Sequence, residues 1–223
     1  RRLGGPTLRA DGVVGPKTLA AVEAAAAAGL RAIVIPAACQ AEVAGLVPDI
    51  TVYVATHLDA VIAEYAETKG TLGQARTLQP KPASWSSGFD LADVRGLPGP
   101  RWALEVAAAG GHDLALVGPP GIGKSMLARR LPSILPPLTL AQVRDVTRVY
   151  SAVGAVGERF TAPPFRAPHH TASLAAVRGT LGVGSARTQR PGEVALAIHG
   201  ALFLDEAAEF SAATIDAAFL YRT

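Results

Sequence analysis

Residues 118–125 read Gly-Pro-Pro-Gly-Ile-Gly-Lys-Ser and satisfy G-x-x-x-x-G-K-[ST] at every fixed position. The chemistry of such a segment is the holding of a phosphate chain. Gly118, Gly121 and Gly123 let the backbone bend until successive N–H groups point at one anion, with Pro119, Pro120 and Ile122 completing the cradle. A helix opening at its end adds partial positive charge. Lys124 would supply a compact cation for the β- and γ-phosphates, and Ser125 a hydroxyl for Mg²⁺. The competing reading is a glycine-rich turn that only joins a strand to a helix, but such a turn does not require Lys-Ser where the helix begins. Lysine usage agrees. Of 21 basic residues only Lys17, Lys69, Lys81 and Lys124 are lysines, and the other three sit near turns or a linker.

A phosphate loop that hydrolyses ATP needs an acid to hold Mg²⁺ and orient water. Asp205-Glu206 ends the apolar run Ala201–Leu204, where a parallel α/β sheet presents side chains to its ligand crevice. Asp205 is the expected Mg²⁺ partner, through water, and Glu206 the group that polarises the attacking water. The alternative is a pair of acids starting a helix, where they would favour the dipole. Glu209, one turn on, reads as a solvated helix residue.

Seven arginines (144, 148, 159, 166, 178, 187 and 190) face only Asp145 and Glu158 between Arg144 and Gly192, a local excess above the +3 of the whole chain. Gly179, Gly182 and Gly184 would keep part of this segment mobile. The leading reading is a solvated face; contact with nucleic-acid phosphates, carried by Arg166 and Arg178, and contact with a neighbouring subunit are the alternatives. His169-His170 on an extended segment would face opposite ways, so chelation of one ion by both is not expected. Packing and hydrogen bonding are the expected roles, as for the isolated His57, His112 and His199.

The elements that must position these residues follow an α/β pattern. Residues 18–28 are alanine-rich and read as a helix stopped by Gly29. Ala32–Ile35, closed by Pro36, and Ile50–Val54 read as strands, with a helix over 37–45 between them. Thr56 can cap a helix over 57–67 whose apolar face is Leu58, Val61, Ile62 and Tyr65. Residues 76–89, rich in proline and serine, are the linker candidate, with a boundary near 85. Beyond it a helix is expected from Pro100 to Ala109, a buried strand over Leu114–Val117, the phosphate loop with a helix through Arg130, and a helix over 139–153. Residues 154–192 read as loops with short strands, and Ala201–Leu204 as a last buried strand.

Composition limits the classes. The 223 residues, 49% of them hydrophobic, allow one or two domains with packed cores and exclude global disorder. No uninterrupted apolar run reaches ~18 residues, so no membrane-spanning helix is expected. One cysteine, Cys39, forms no internal disulfide and no thiolate zinc cluster, and fits a reducing compartment.

Several segments together resemble the Mg-chelatase-like AAA+ ATPases of bacteria, the group that includes the competence-linked branch-migration helicase. They are DLADVRG over 90–96, ALEVAAAGGHDLALVGPPGIGKS over 103–125, PPFRAPHHT over 163–171 and RPGEVALAIHGALFLDE over 190–206. Residues 8–36 resemble the end of that family's Lon-protease-like N-terminal domain. The resemblance runs from about Leu8 to Phe210. It implies an α/β fold: part of a Lon-like domain over 1–75, the linker 76–89, and an incomplete AAA+ P-loop domain over 90–223. It implies ATP and Mg²⁺ at Lys124, Ser125, Asp205 and Glu206, an adenine edge near Val94-Arg95-Gly96, a homo-oligomeric ring (a hexamer) in the bacterial cytoplasm, and DNA remodelling as the task. A motor subunit of a magnesium chelatase and a truncated remnant that only binds nucleotide are the alternatives.

The sequence departs from the family's pattern after Gly96, where Leu97-Pro98-Gly99-Pro100 puts the local helix start in doubt, and after Phe210. The chain starts without Met and reads as a fragment lacking sensor, trans-acting arginine and lid, so negligible ATP turnover by the chain alone is expected. Proteolysis is not expected: the Lon family's lysine aligns with Leu19, Lys17 is two positions away, and no serine nucleophile segment occurs.

Overall fold

The computed structural model describes residues 18–43, 45–67, 73–74, 89–154, 162–180 and 190–220. The chain divides into two compact units, Arg1–Lys81 with Tyr150–Arg159, and Pro82–Val149 with Phe160–Thr223. Residues 76–88 of the expected linker lie outside the described residues, as do Lys17, Lys69, Lys81, Arg159, Gly182, Gly184 and Arg187.

In the first unit, α1 (Thr18–Ala27) buries Leu19, Val22 and Ala25, residues spaced to fall on one helical face. It stops where the sequence places Gly29, at φ 76°. Gly29 N–H donates to Ala26 O and Leu30 N–H to Ala25 O, the two bonds of a Schellman cap. Strand β1 (Ala32–Pro36) lies parallel to β2 (Thr51–Ala55) with Val34 opposite Tyr53, and β3 (Gly73–Gln74) adds antiparallel to β2. The crossover between β1 and β2 holds a 3₁₀ turn (Ala37–Cys39) and the short α2 (Gln40–Val43), less helix than the expected 37–45. Ile35, Cys39, Val43, Leu46 and Ile50 are buried, and the fully buried Glu42 accepts a hydrogen bond from Ser151 Oγ at 3.0 Å. Helix α3 (Leu58–Glu67) forms, but Leu58 and Ile62 of its expected apolar face are exposed, while Ala60 and Val61 are half-buried.

The second unit is built around the phosphate loop. Helix α4 (Pro98–Gly110) starts two residues before the expected Pro100, after Leu97 in a left-handed conformation (φ 53°), and ends on left-handed Gly111. Its prolines occupy the first turn, where no backbone donor is missed. Leu104 of α4 joins Leu91, Val94 and Leu127 in one core cluster, with Leu97, Leu116, Leu131 and Ile134 packed against it. Leu127 belongs to α5 (Lys124–Ala128), which ends two residues short of the expected Arg130. Helix α6 (Leu140–Ser151) lies within the expected 139–153 and buries Val143, Val146, Thr147 and Tyr150.

Leu114–Val117 is not the buried strand the sequence suggests. Residues 112–119 carry no regular structure, and Val117 is 95% exposed. A strand in a parallel sheet is held by neighbours that take its backbone bonds, and among the described residues no strand pairs with this run. The expected strand Ala201–Leu204 is reduced to β7 (Ala201–Leu202), half-buried, and parallel to β4 (Phe165–Arg166). Within the segment read as loops, α7 (Leu174–Arg178) forms behind an N-cap: Ser173 Oγ accepts from Ala176 N–H at 3.2 Å. Strands β5 (Gly179–Thr180) and β6 (Arg190–Pro191) pair antiparallel, followed by α8 (Glu193–Leu196) and, after β7, α9 (Ala212–Leu220), and α7 packs on both of these helices. Among the described residues no helix is long and apolar enough to cross a membrane.

Candidate nucleotide site

The loop over 118–123 reaches α5 through two glycines at positive φ, Gly121 at 78° and Gly123 at 98°. At Gly123 an added Cβ would meet only the flexible end of Met126, Cε at 3.2 Å, and Leu97 Cδ1 at ordinary contact distance, 3.7 Å, so it is the backbone conformation that favours glycine there. Lys124 Nζ folds back over its own loop and donates to Gly118 O and Pro119 O, each at 2.8 Å. An ammonium has three donors. It can exchange these two neutral acceptors for phosphate oxygens, gaining charge-assisted bonds that are roughly twice as strong.

Ser125 Oγ donates to Asp205 Oδ2 at 2.8 Å, closing 80 residues of chain. Two elements produce this contact. Ser125 lies in the first turn of α5, and Asp205 follows β7, whose backbone is tied to β4 by Ala201 N–H to Pro164 O and Phe203 N–H to Arg166 O, both 2.8 Å. A hydroxyl and a carboxylate are hard oxygen donors of the kind Mg²⁺ takes. The donor set therefore fits that ion, with Ser125 as a direct ligand and Asp205 reached through water.

Glu206 stands in a left-handed conformation, φ 54° and ψ 50°, which costs a non-glycine residue roughly 1–2 kcal/mol. Its exposed carboxylate lies 4.0 Å from His170 Nδ1. Asp205 and Glu206 line a cavity of ≈ 280 Å³ together with Arg129, Pro168, His169, His170 and Phe203.

The segment Val94-Arg95-Gly96 lies against the same helix. Val94 is buried in the core cluster with Leu127, and its carbonyl accepts from Arg101 Nη1 at 3.3 Å. Arg95 is exposed, and Gly96 has φ 71°. The stretch before it is pinned by Asp90. Its side chain accepts from Ala92 N–H at 2.9 Å, and its carbonyl accepts from Arg130 Nε at 3.1 Å. Ser133 Oγ accepts from Leu91 N–H at 3.1 Å.

The two arginines singled out for nucleic acid differ. Arg166 is engaged by Glu193 in a two-point pair, Nε to Oε2 at 2.6 Å and Nη2 to Oε1 at 2.8 Å. Arg178 ends α7 and is exposed. The histidines correct the expectation of opposite faces: their rings lie side by side, centroids 4.1 Å apart. The backbone turns here instead of running extended. Ala172 N–H donates to His169 O at 2.8 Å, and His169 Nδ1 pairs with Thr171 Oγ1 at 2.8 Å. His199, expected to be isolated, pairs with Asp145 at 3.0 Å. Sequence reasoning missed that His170 meets acids, Glu206 and, at 3.5 Å, Glu209. The signal lies in the β4–β7 register, which composition does not disclose.

A glycine-rich loop opening a helix, with its hydroxyl bonded to an acid beyond a neighbouring strand, is the arrangement of P-loop nucleotide-binding proteins. The family model described as magnesium chelatase, subunit ChlI, matches residues 90–219, more than half of the chain, and the protein belongs to this Mg-chelatase-like AAA+ family. Uncharacterized protein Rv2897c of Mycobacterium tuberculosis is 42% identical over 215 residues, 94% of this chain and 41% of that protein. Uncharacterized protein YifB of Escherichia coli is 43% identical over 169 residues, 74% of this chain and 31% of YifB. Competence protein ComM of Haemophilus influenzae is 43% identical over 131 residues, 58% of this chain and 25% of ComM. The chain thus spans about two fifths of the mycobacterial relative's length. The family is AAA+ ATPase-like, which implies nucleotide and Mg²⁺ use by its members.

Proposed function

We propose that this chain carries the nucleotide-binding part of an AAA+ ATPase that couples ATP hydrolysis to DNA remodelling. The observation that carries the reading is the Ser125–Asp205 hydrogen bond. It joins the end of the phosphate loop to the end of a strand 80 residues later, as a site for a metal–triphosphate complex requires. In this reading the loop amides over 118–123 and Lys124 hold the β- and γ-phosphates. Ser125 and Asp205 would hold Mg²⁺, which when bound screens the charge between the phosphates. Glu206 orients and polarises the attacking water, and Val94-Arg95-Gly96 borders the base. Residues 90–223 form the AAA+ part, 76–89 a linker, and 1–75 part of a Lon-like domain. The working assembly is a homo-oligomeric ring, a hexamer, in the cytoplasm.

The DNA task follows the resemblance to the branch-migration helicase group and is supported by the likeness to a protein named for competence. Arg166 and Arg178 are the candidates for a phosphate contact, and two donors of Arg166 are spent on Glu193. A second reading, a motor subunit of a magnesium chelatase, is favoured by the family's own description.

Calorimetric titration with ATP and Mg²⁺ tests the core of the proposal. Heat of binding is expected for the wild type and is lost in Lys124→Ala, whereas Glu206→Gln still binds and, in the full-length protein, does not cleave. Absence of binding by soluble, folded wild-type protein would refute the proposal. Stimulation of the full-length protein's turnover by branched DNA, lost in Arg166→Ala or Arg178→Ala, separates the DNA task from the chelatase reading.

A further inference from the structure

We propose that His170 is a positioning residue for Glu206, holding its carboxylate through a bridge that Glu209 shares; this rests on the reading of Glu206 as the group that orients water. The parallel pair β4–β7 sets the two segments side by side, with Phe165 opposite Ala201 and Arg166 opposite Leu202. The bond from Phe203 N–H to Arg166 O carries the pairing one residue beyond β7. Past it both segments turn, one through the bond from Ala172 N–H to His169 O and the other through the left-handed backbone of Glu206, and these turns leave His170 beside Glu206.

The His170 ring sits between two carboxylates, with Nδ1 4.0 Å from Glu206 Oε2 and Nε2 3.5 Å from Glu209 Oε2. The three residues are close enough to suggest a metal trio. One ligand atom of each lies within 4.8 Å of the others, so a metal trio is the competing occupant, and the Zn²⁺ titration below decides between the two. The two acids are held in phase by the backbone: Glu209 N–H donates to Glu206 O at 2.8 Å, closing a 3₁₀ turn behind the left-handed Glu206. From the other side the His169 ring, itself tied to Thr171, lies against His170. The Glu206 side chain is 66% exposed and left alone would sample several rotamers. A general base must be held in hydrogen-bond reach of its proton, and restraint by the imidazole raises the fraction of time it is there.

The test measures, in the assembled full-length protein that carries this chain, ATP turnover and nucleotide affinity for His170→Ala, His170→Gln and Glu209→Gln, with Glu206→Gln as the reference. His170→Ala is expected to lower kcat about tenfold, within the range for losing a positioned acid–base group, with nucleotide affinity unchanged. His170→Gln, which keeps a donor, recovers part of the rate, and His170→Ala adds nothing in the Glu206→Gln background. Wild-type kcat in His170→Ala overturns the proposal, as does a joint fall of kcat and affinity that Gln does not rescue. Full turnover in Glu206→Gln instead overturns the assignment of Glu206 itself. A readout independent of turnover decides the bridge: the ¹⁵N resonances of the His170 ring should shift in both Glu206→Gln and Glu209→Gln. Unmoved resonances, or stoichiometric Zn²⁺ binding that shifts them, overturn it.

Discussion

Gly200→Ala should weaken the nucleotide site although residue 200 touches no part of it. Gly200 immediately precedes β7, and a Cβ built there would overlap the carbonyl oxygen of Pro164 and lie 2.7 Å from its nitrogen. The obstructing atoms are backbone of the neighbouring strand segment, which has no rotamer to yield, so the β4–β7 pair must part. Two inter-strand bonds are then lost, Ala201 N–H to Pro164 O and Phe203 N–H to Arg166 O. At about 1 kcal/mol each, the expected loss is ~2 kcal/mol before any strain. For a domain of this size that corresponds to a fall in Tm of roughly 4–8 °C. The same parting displaces Asp205, three residues beyond β7, from Ser125, so Mg²⁺-dependent ATP affinity should fall together with stability. Thermal denaturation and a nucleotide titration on the same preparations read both effects. Gly99→Ala is the control, because no atom lies within 4 Å of its added Cβ and its backbone is helical. That variant should be unchanged or more stable by a few tenths of a kcal/mol to about 1 kcal/mol. If Gly200→Ala matches the wild type in both assays, the parallel pair does not position the acids.

Ser125→Ala should cost about tenfold in ATP affinity with Mg²⁺ present and little in its absence, measured by titration with and without EDTA; equal losses in both would place Ser125 outside the metal's reach. Arg166→Ala and Glu193→Ala should not be additive: urea denaturation of the singles and the double should return a coupling of about 1 kcal/mol, as a half-buried two-point pair implies. Because Arg166→Ala also breaks that pair, any DNA-binding loss it shows should be matched by Glu193→Ala. Asp90→Ala should cost about 1 kcal/mol of stability by removing the acceptor for Ala92 N–H, read by thermal denaturation.

What could be read from the sequence depended on whether the deciding forces were local. Helix α1 and its Schellman stop follow from alanine propensity and one glycine, and β1 and β2 from two β-branched runs, so all three appear within a residue or two of expectation. The phosphate loop is local in the same sense, since its glycines and Lys124 act within eight residues. Leu114–Val117 shows the limit: an apolar run reads the same whether or not strands lie beside it, and here Val117 stands 95% exposed. The face of α3 failed similarly, because periodicity names a face without saying what covers it. Helix α7 was hidden by its Gly- and Arg-rich surroundings, although Ser173 ahead of Leu-Ala-Ala-Val carried an N-cap signal. The histidines turned on one side chain: Thr171 bonds His169 Nδ1 and bends a segment that alternation alone would have left straight.

The acids make the same point at the site. Asp205-Glu206 was legible as a pair, but the different work of its two members was not. A strand ending at β7 delivers Asp205 to Ser125, and the left-handed turn at Glu206 then swings the second carboxylate away, toward His170. An extended continuation through residue 206 would send consecutive side chains to opposite faces of the sheet, which also separates the two acids but leaves Glu206 without the turn that Glu209 closes. Glu206→Gly distinguishes the two origins of that geometry. It relieves the left-handed strain, so the protein should gain stability of order 1 kcal/mol while losing turnover. A Glu206→Gly protein less stable than the wild type would mean that the carboxylate's contact with His170 outweighs the strain, and that the turn is held by the side chain and not by the backbone.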